Sequence, residues 1–166
     1  MRSGWWRQVW LATTLNVFLP TVGAAEEENP VYSFPGPYRA EVVRVIDGDT
    51  LVLNVELWPN LTAEVAARVR GVNSPELSSY ECEMAELLGQ EAKSFVEARY
   101  IPGDIVQLRK IEPDPFFGRV VADVRRWRSD RWLPLAKELL EADPALAVEW
   151  LPGQGPVPWC LLTMPR

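Results

Sequence analysis

Residues 38–57 read YRAEVVRVIDGDTLVLNVEL, and the way this stretch doubles back on itself sets the architecture. The run over 38–46 is rich in valine and arginine and reads as a strand. Asp47-Gly48 is a turn pair. From Thr50, Leu51, Leu53, Val55 and Leu57 alternate with Val52, Asn54 and Glu56, so a second strand leaves the turn as a hairpin. Pro59-Asn60 closes that strand.

Working outward, Ala67 and Val69 fall on one face of the next segment and Arg68 and Arg70 on the other, the two-residue period of a half-buried strand beginning at 65. Ser74-Pro75 breaks it. Residues 85–100, with Leu88, Ala92, Phe95, Val96 and Arg99, carry the helical period until Pro102-Gly103. Two further strands are expected over 105–111 and 120–127, joined by the turn residues 113–118, and a second helix over 133–142. This order predicts a mainly β chain with helices, of the α+β class: a small, closed or partly open five-stranded barrel with two or three helices packed against it. No internal repeat competes with that reading.

The first residues read as an address. Arg2 and Arg7 precede an apolar run and then small residues, the pattern of a secretory signal peptide over 1–25. An uncleaved anchor is the weaker alternative, because Asn16 and Pro20 interrupt a run already short for a spanning helix. The remaining chain divides into a flexible segment over 26–37, one domain over 38–160 and a tail over 161–166. It is read as a secreted or periplasmic monomer with no stable membrane span.

Losing Arg2 and Arg7 takes the net charge from −6 to −8, which argues against tight nonspecific duplex binding, although an acidic protein can still hold a local positive pocket. Cys82 and Cys160 are the two cysteines, and export into an oxidising compartment predicts that they pair, against the alternative of two buried thiols. No histidine occurs, which removes Ser-His-Asp and Cys-His catalysis and histidine zinc sites. With no Gly-rich phosphate loop either, any chemistry rests on carboxylates and arginines.

Those groups concentrate in I-D-G-D-T over 46–50, in V-N-S-P-E over 72–76, and at Arg68 and the Phe-Gly-Arg that ends at Arg119. In these motifs the stretch 38–147 resembles the thermonuclease, or staphylococcal-nuclease-like, family. The resemblance implies an oligonucleotide-binding-type (OB) barrel that uses calcium to hydrolyse phosphodiesters of single-stranded DNA or RNA. It also implies roles. Asp49 would be a calcium-binding carboxylate, with Asn73 and the carbonyl of Ser74 completing the metal site. Glu76 would orient and deprotonate the attacking water, and Arg68 and Arg119 would grip the scissile phosphate.

The chain departs from the family in three places. Asn73 stands where the family has a second aspartate, and Phe116-Phe117 where it often has Lys-Tyr. The stretch 151–157 lacks the arginines and tyrosines that precede the closing Trp-Cys of secreted relatives, which Trp159-Cys160 resembles. Simpler readings accompany each motif: Asp47-Gly48 as a plain hairpin turn, and Ser74-Pro75-Glu76 as the capped first turn of a helix. A second class of function is therefore carried alongside the nuclease, an envelope-associated binding module built on the same barrel.

Overall fold

The computed structural model describes residues 33–78, 81–151 and 153–162; the expected leader over 1–25 lies outside them. Strands β1 (Tyr38–Asp47) and β2 (Thr50–Trp58) pair antiparallel from Ala40↔Val55 to Asp47↔Thr50. The loop between them is therefore Gly48-Asp49, one residue later than the Asp47-Gly48 turn suggested by composition. Gly48 is not one of the positive-φ glycines, so crowding is what demands it. A Cβ there would lie 2.7 Å from the Cβ of Ala92 and 2.8 Å from Ser74 Oγ.

Strand β3 (Leu61–Val69) returns beside β2, beginning earlier than 65 because the Asn60 turn, at φ 67°, brings Leu61 opposite Trp58. Next come β4 (Val72–Asn73), α1 (Glu83–Glu97), β5 (Ile105–Pro113) and β6 (Arg119–Arg128). The described residues end with β7 (Arg131–Pro134), α2 (Leu135–Leu140), β8 (Val148–Glu149) and α3 (Trp159–Leu162). The main sheet runs β3-β2-β1-β5-β6-β7, and a parallel pairing of β3 with β6, Ala66↔Arg119 to Val69↔Ala122, joins its ends. The result is a closed five-stranded barrel with three helices, mostly β, of the OB-type α+β class expected.

The barrel fills as the period-two pattern requires. Val42, Leu51, Leu53, Ala67, Val69, Leu108 and Val124 are all buried to within about 2% of complete exclusion from solvent. Helix α1 covers the barrel with Ala85, Gly89, Ala92 and Val96. These small residues let it approach closely; a Cβ on Gly89 would lie 2.9 Å from the carbonyl oxygen of Pro75. Tyr100, fully buried just beyond the helix, donates its hydroxyl hydrogen to Glu138 Oε2 at 2.9 Å, and Arg126 Nε donates to the same carboxylate at 3.0 Å.

Four further boundaries differ from expectation. The first helix, expected over 85–100, is α1 at Glu83–Glu97, and the alternative start at Ser74 is not taken, since residues 74–78 and 81–82 are irregular. The second helix starts at Leu135 rather than 133, because residues 131–134 extend the sheet as β7, with Trp127↔Trp132 in register. Part of the segment expected to be flexible is docked: Phe34 exchanges backbone hydrogen bonds with Ile111 at 2.8 and 2.9 Å. Leu161 and Leu162, assigned to a tail, complete α3.

Cys82 and Cys160 form a disulfide with a Cα–Cα distance of 6.0 Å, tying the start of α1 to α3. It closes a loop of 78 residues, for which the chain-entropy relation gives about 4.5 kcal/mol. No helix among the described residues is long and apolar enough to cross a membrane.

Candidate functional site

The Gly48-Asp49 loop is wedged under the segment that follows β3, and this delivers Asp49 into the protein with its side chain 1% exposed. Every donor around its carboxylate comes from a different piece of chain. Arg68, on β3, donates to Oδ1; Thr50 Oγ1 donates to the same oxygen at 3.1 Å; the backbone N–H of Ser74 donates to Oδ2 at 2.7 Å. Asp47 holds the turn by accepting the N–H of Asp49 at 3.1 Å. Burial pushes the Asp49 carboxyl up to about 7, helped by repulsion from Asp47 and Glu76 and opposed by Arg68 and the Ser74 N–H.

Ser74 explains why the expected helix start fails. Its N–H goes to Asp49, and its Oγ, buried against Gly48, has no hydrogen-bond partner among the described residues, so it caps none of them. Asn73 pairs with Val148 in the β4–β8 ladder, and its side chain makes no hydrogen bond among the described residues. Ser74 Oγ is thus an unspent oxygen beside the Gly48-Asp49 loop, of the hard-ligand kind that a calcium ion takes. Among the described residues no three acidic, histidine or cysteine side chains form a ready-made metal cage.

Glu76 leaves this segment exposed at the mouth of an open cleft of about 430 Å³. Asp47, Thr50, Lys93 and Arg119 line it too. Partial desolvation and the Asp47 charge raise the Glu76 carboxyl above its ordinary value, while Arg68 and Arg119 pull it down. Arg119, at the start of β6, pairs with Asp114 at 3.1 Å and lies 4.4 Å from the Phe116 ring centre. It also borders a second cleft, of about 420 Å³, with Arg68, Phe116 and Trp150. The two arginines thus stand in different states: Arg119 opens on both clefts, whereas Arg68 is 12% exposed and engaged by Asp49.

The rival arginine, Arg70, is structural. It bridges Glu112 at 3.1 Å and the carbonyl of Val121 at 3.3 Å, stitching the strand β3 exit to β5 and β6. Four residues of the site escaped the sequence reading. Asp47, set aside as a turn residue, is 7% exposed and faces the cleft. Asp114 holds Arg119, Trp150 sits with its ring centre 5.6 Å from the Arg68 guanidinium, and Lys93 enters from α1. Only Lys93 had a legible signal, since it adjoins Ala92 on the small-residue face that predicts close packing.

No family model matches this chain, and no curated protein matches it. What fold and geometry define is a class: a closed OB-type barrel whose β1–β2 turn and post-β3 segment bring Asp47 and Glu76 together with Arg119 at an open cleft, with Arg68 on a second cleft that Arg119 shares.

Proposed function

We propose that this chain is an exported nuclease of the thermonuclease kind, hydrolysing phosphodiester bonds of single-stranded DNA or RNA with the help of calcium. One observation carries the reading: Glu76, an acid with a raised proton affinity, shares an open cleft with Arg119 while the buried Asp49–Arg68 pair stands behind it. A carboxylate whose proton affinity is raised is a better base toward water than an ordinary one. The water oxygen forms the new bond to phosphorus, the water proton passes to Glu76, and one ester oxygen leaves with its bonding pair and takes a proton from solvent. Arg119 presents a planar fork to the non-bridging oxygens, and Arg68 is the second guanidinium that a phosphate drawn inward would meet.

Asp49, Asn73 and Ser74 are the residues that would hold calcium. Bound there, the ion would offset phosphate charge as it builds in the transition state. The disulfide supports export, since such bridges persist in oxidising compartments.

The test is hydrolysis of labelled single-stranded DNA by the secreted protein in calcium and in chelator. Calcium-dependent cleavage is expected; no cleavage at any calcium level contradicts the proposal. A second reading, a binding module on the same barrel, is favoured by the neutral Asn73 at a ligand position. Calorimetry separates the two when run with Asn73→Asp. The nuclease reading expects the variant to bind calcium more tightly and cut faster, whereas the module expects ligand binding without metal or turnover.

A further inference from the structure

The strands β6 and β7 meet in a two-residue turn, Ser129-Asp130, both at positive φ as a type I′ hairpin requires. Behind the turn the register stacks two like pairs, Arg128↔Arg131 and then Trp127↔Trp132. The tryptophan rings meet edge to face, centroids 5.3 Å apart, and remain 56% and 36% exposed. Large aromatics are normally hidden in a small barrel, so two on one exposed hairpin need an explanation.

Charge sharpens the point. Residues 125–132 carry four arginines and one aspartate, a net +3, while the rest of the chain carries −9. Arg126 is committed to Glu138, and Arg125 lies 3.7 Å from Asp123. Arg128 and Arg131 are exposed and form no ion pair among the described residues, even though Glu141 and Asp143 line the cleft beside Arg128. The hairpin is an isolated cationic and aromatic end on an acidic protein. It is also remote from the cleft, since β6 runs ten residues from Arg119 to Arg128, about 30 Å at the rise of a strand.

We propose that the β6–β7 hairpin is a second contact for single-stranded nucleic acid, with unpaired bases stacking on Trp127 and Trp132 and phosphates meeting Arg128 and Arg131. Stacking platforms flanked by arginines are how strands are held without sequence preference. A duplex hides its base faces and offers nothing for the tryptophans. An anionic membrane is disfavoured because the leading residues of the hairpin, Ser129 and Asp130, are polar and acidic. The inference concerns binding alone and stands whether or not the cleft cuts the strand.

The experiment uses the whole secreted chain in chelator and measures anisotropy of a labelled oligothymidylate of about 16 nucleotides across a salt series. Trp127→Ala with Trp132→Ala is expected to weaken binding at least about fivefold. Arg128→Gln with Arg131→Gln is expected to lower the slope of log affinity against log salt by about 1.4, two single-strand phosphate contacts. The arginine pair lies on the surface and decides the matter even if the tryptophan variant fails to fold. The proposal is overturned if wild type does not bind the oligonucleotide, or if the arginine variant keeps its affinity and salt slope. Equal affinity for duplex, or sedimentation with phosphatidylserine vesicles instead of oligonucleotide binding, also overturns it. Cleavage without hairpin-dependent binding would sink this inference and leave the nuclease reading standing; the reverse result would do the opposite.

Discussion

At the scale of single residues, Asp49 is the pivot, because one carboxylate fixes the turn, the strand β3 arginine and the segment carrying Glu76. Its proton affinity sets a pH dependence with a definite sign. The folded value is near 7 against an ordinary 3.8, so between those limits the folded state binds more protons than the unfolded one. Stability from this group therefore falls as pH rises from about 4 to about 7, and the full penalty is present above that window. Denaturant titrations in chelator between pH 4 and 8 are expected to show this fall in wild type, and Asp49→Asn is expected to lack it. Identical profiles would contradict the burial account. Arg68 belongs to the same pair. Arg68→Ala strands the buried Asp49 charge and is expected to cost about 3 kcal/mol at pH 8, read from the shift in denaturation midpoint.

At the scale of elements, the barrel was legible because each strand over 38–127 alternates apolar and polar residues with clear punctuation between them. The helix start was not. Ser74-Pro75-Glu76 has the composition of a cap, but the Ser74 N–H is claimed by Asp49, a residue 25 positions earlier, and local composition carries no trace of that bond. The strand β7 was missed for a related reason: Trp132 and Leu133 fit either period, and only pairing with β6 decides. Among the site residues, Asp49, Arg68, Glu76 and Arg119 stood out by motif, whereas Asp47 and Trp150 gain their places through tertiary contact alone. Close contact between elements also gives a prediction. Gly48→Ala must push apart the β1–β2 turn, Ser74 and α1, and is expected to destabilise by about 1–3 kcal/mol, measured by thermal or denaturant unfolding. A neutral effect would mean that the turn is not wedged.

At the scale of the whole molecule, one bridge spans 78 residues and joins the residue that precedes α1 to α3. Reduction is expected to lower unfolding stability by up to about 4.5 kcal/mol, seen as a lower denaturation midpoint in dithiothreitol. With an acidic body, the proposed nuclease would meet nucleic acid through local sites, the cleft shared by Glu76 and Arg119 and the remote cationic hairpin, rather than an overall positive field. The central claim is the proposed chemistry of that cleft, and Glu76 tests it most cleanly, because an exposed side chain can be changed with little effect on folding. The decisive measurement is kcat/KM for calcium-dependent cleavage of single-stranded DNA by wild type and by Glu76→Gln, with unfolding curves for both. The account predicts measurable wild-type turnover, a loss of at least about 100-fold in the variant, and matching stability. Equal cleavage by the two proteins, or none by wild type, would contradict it.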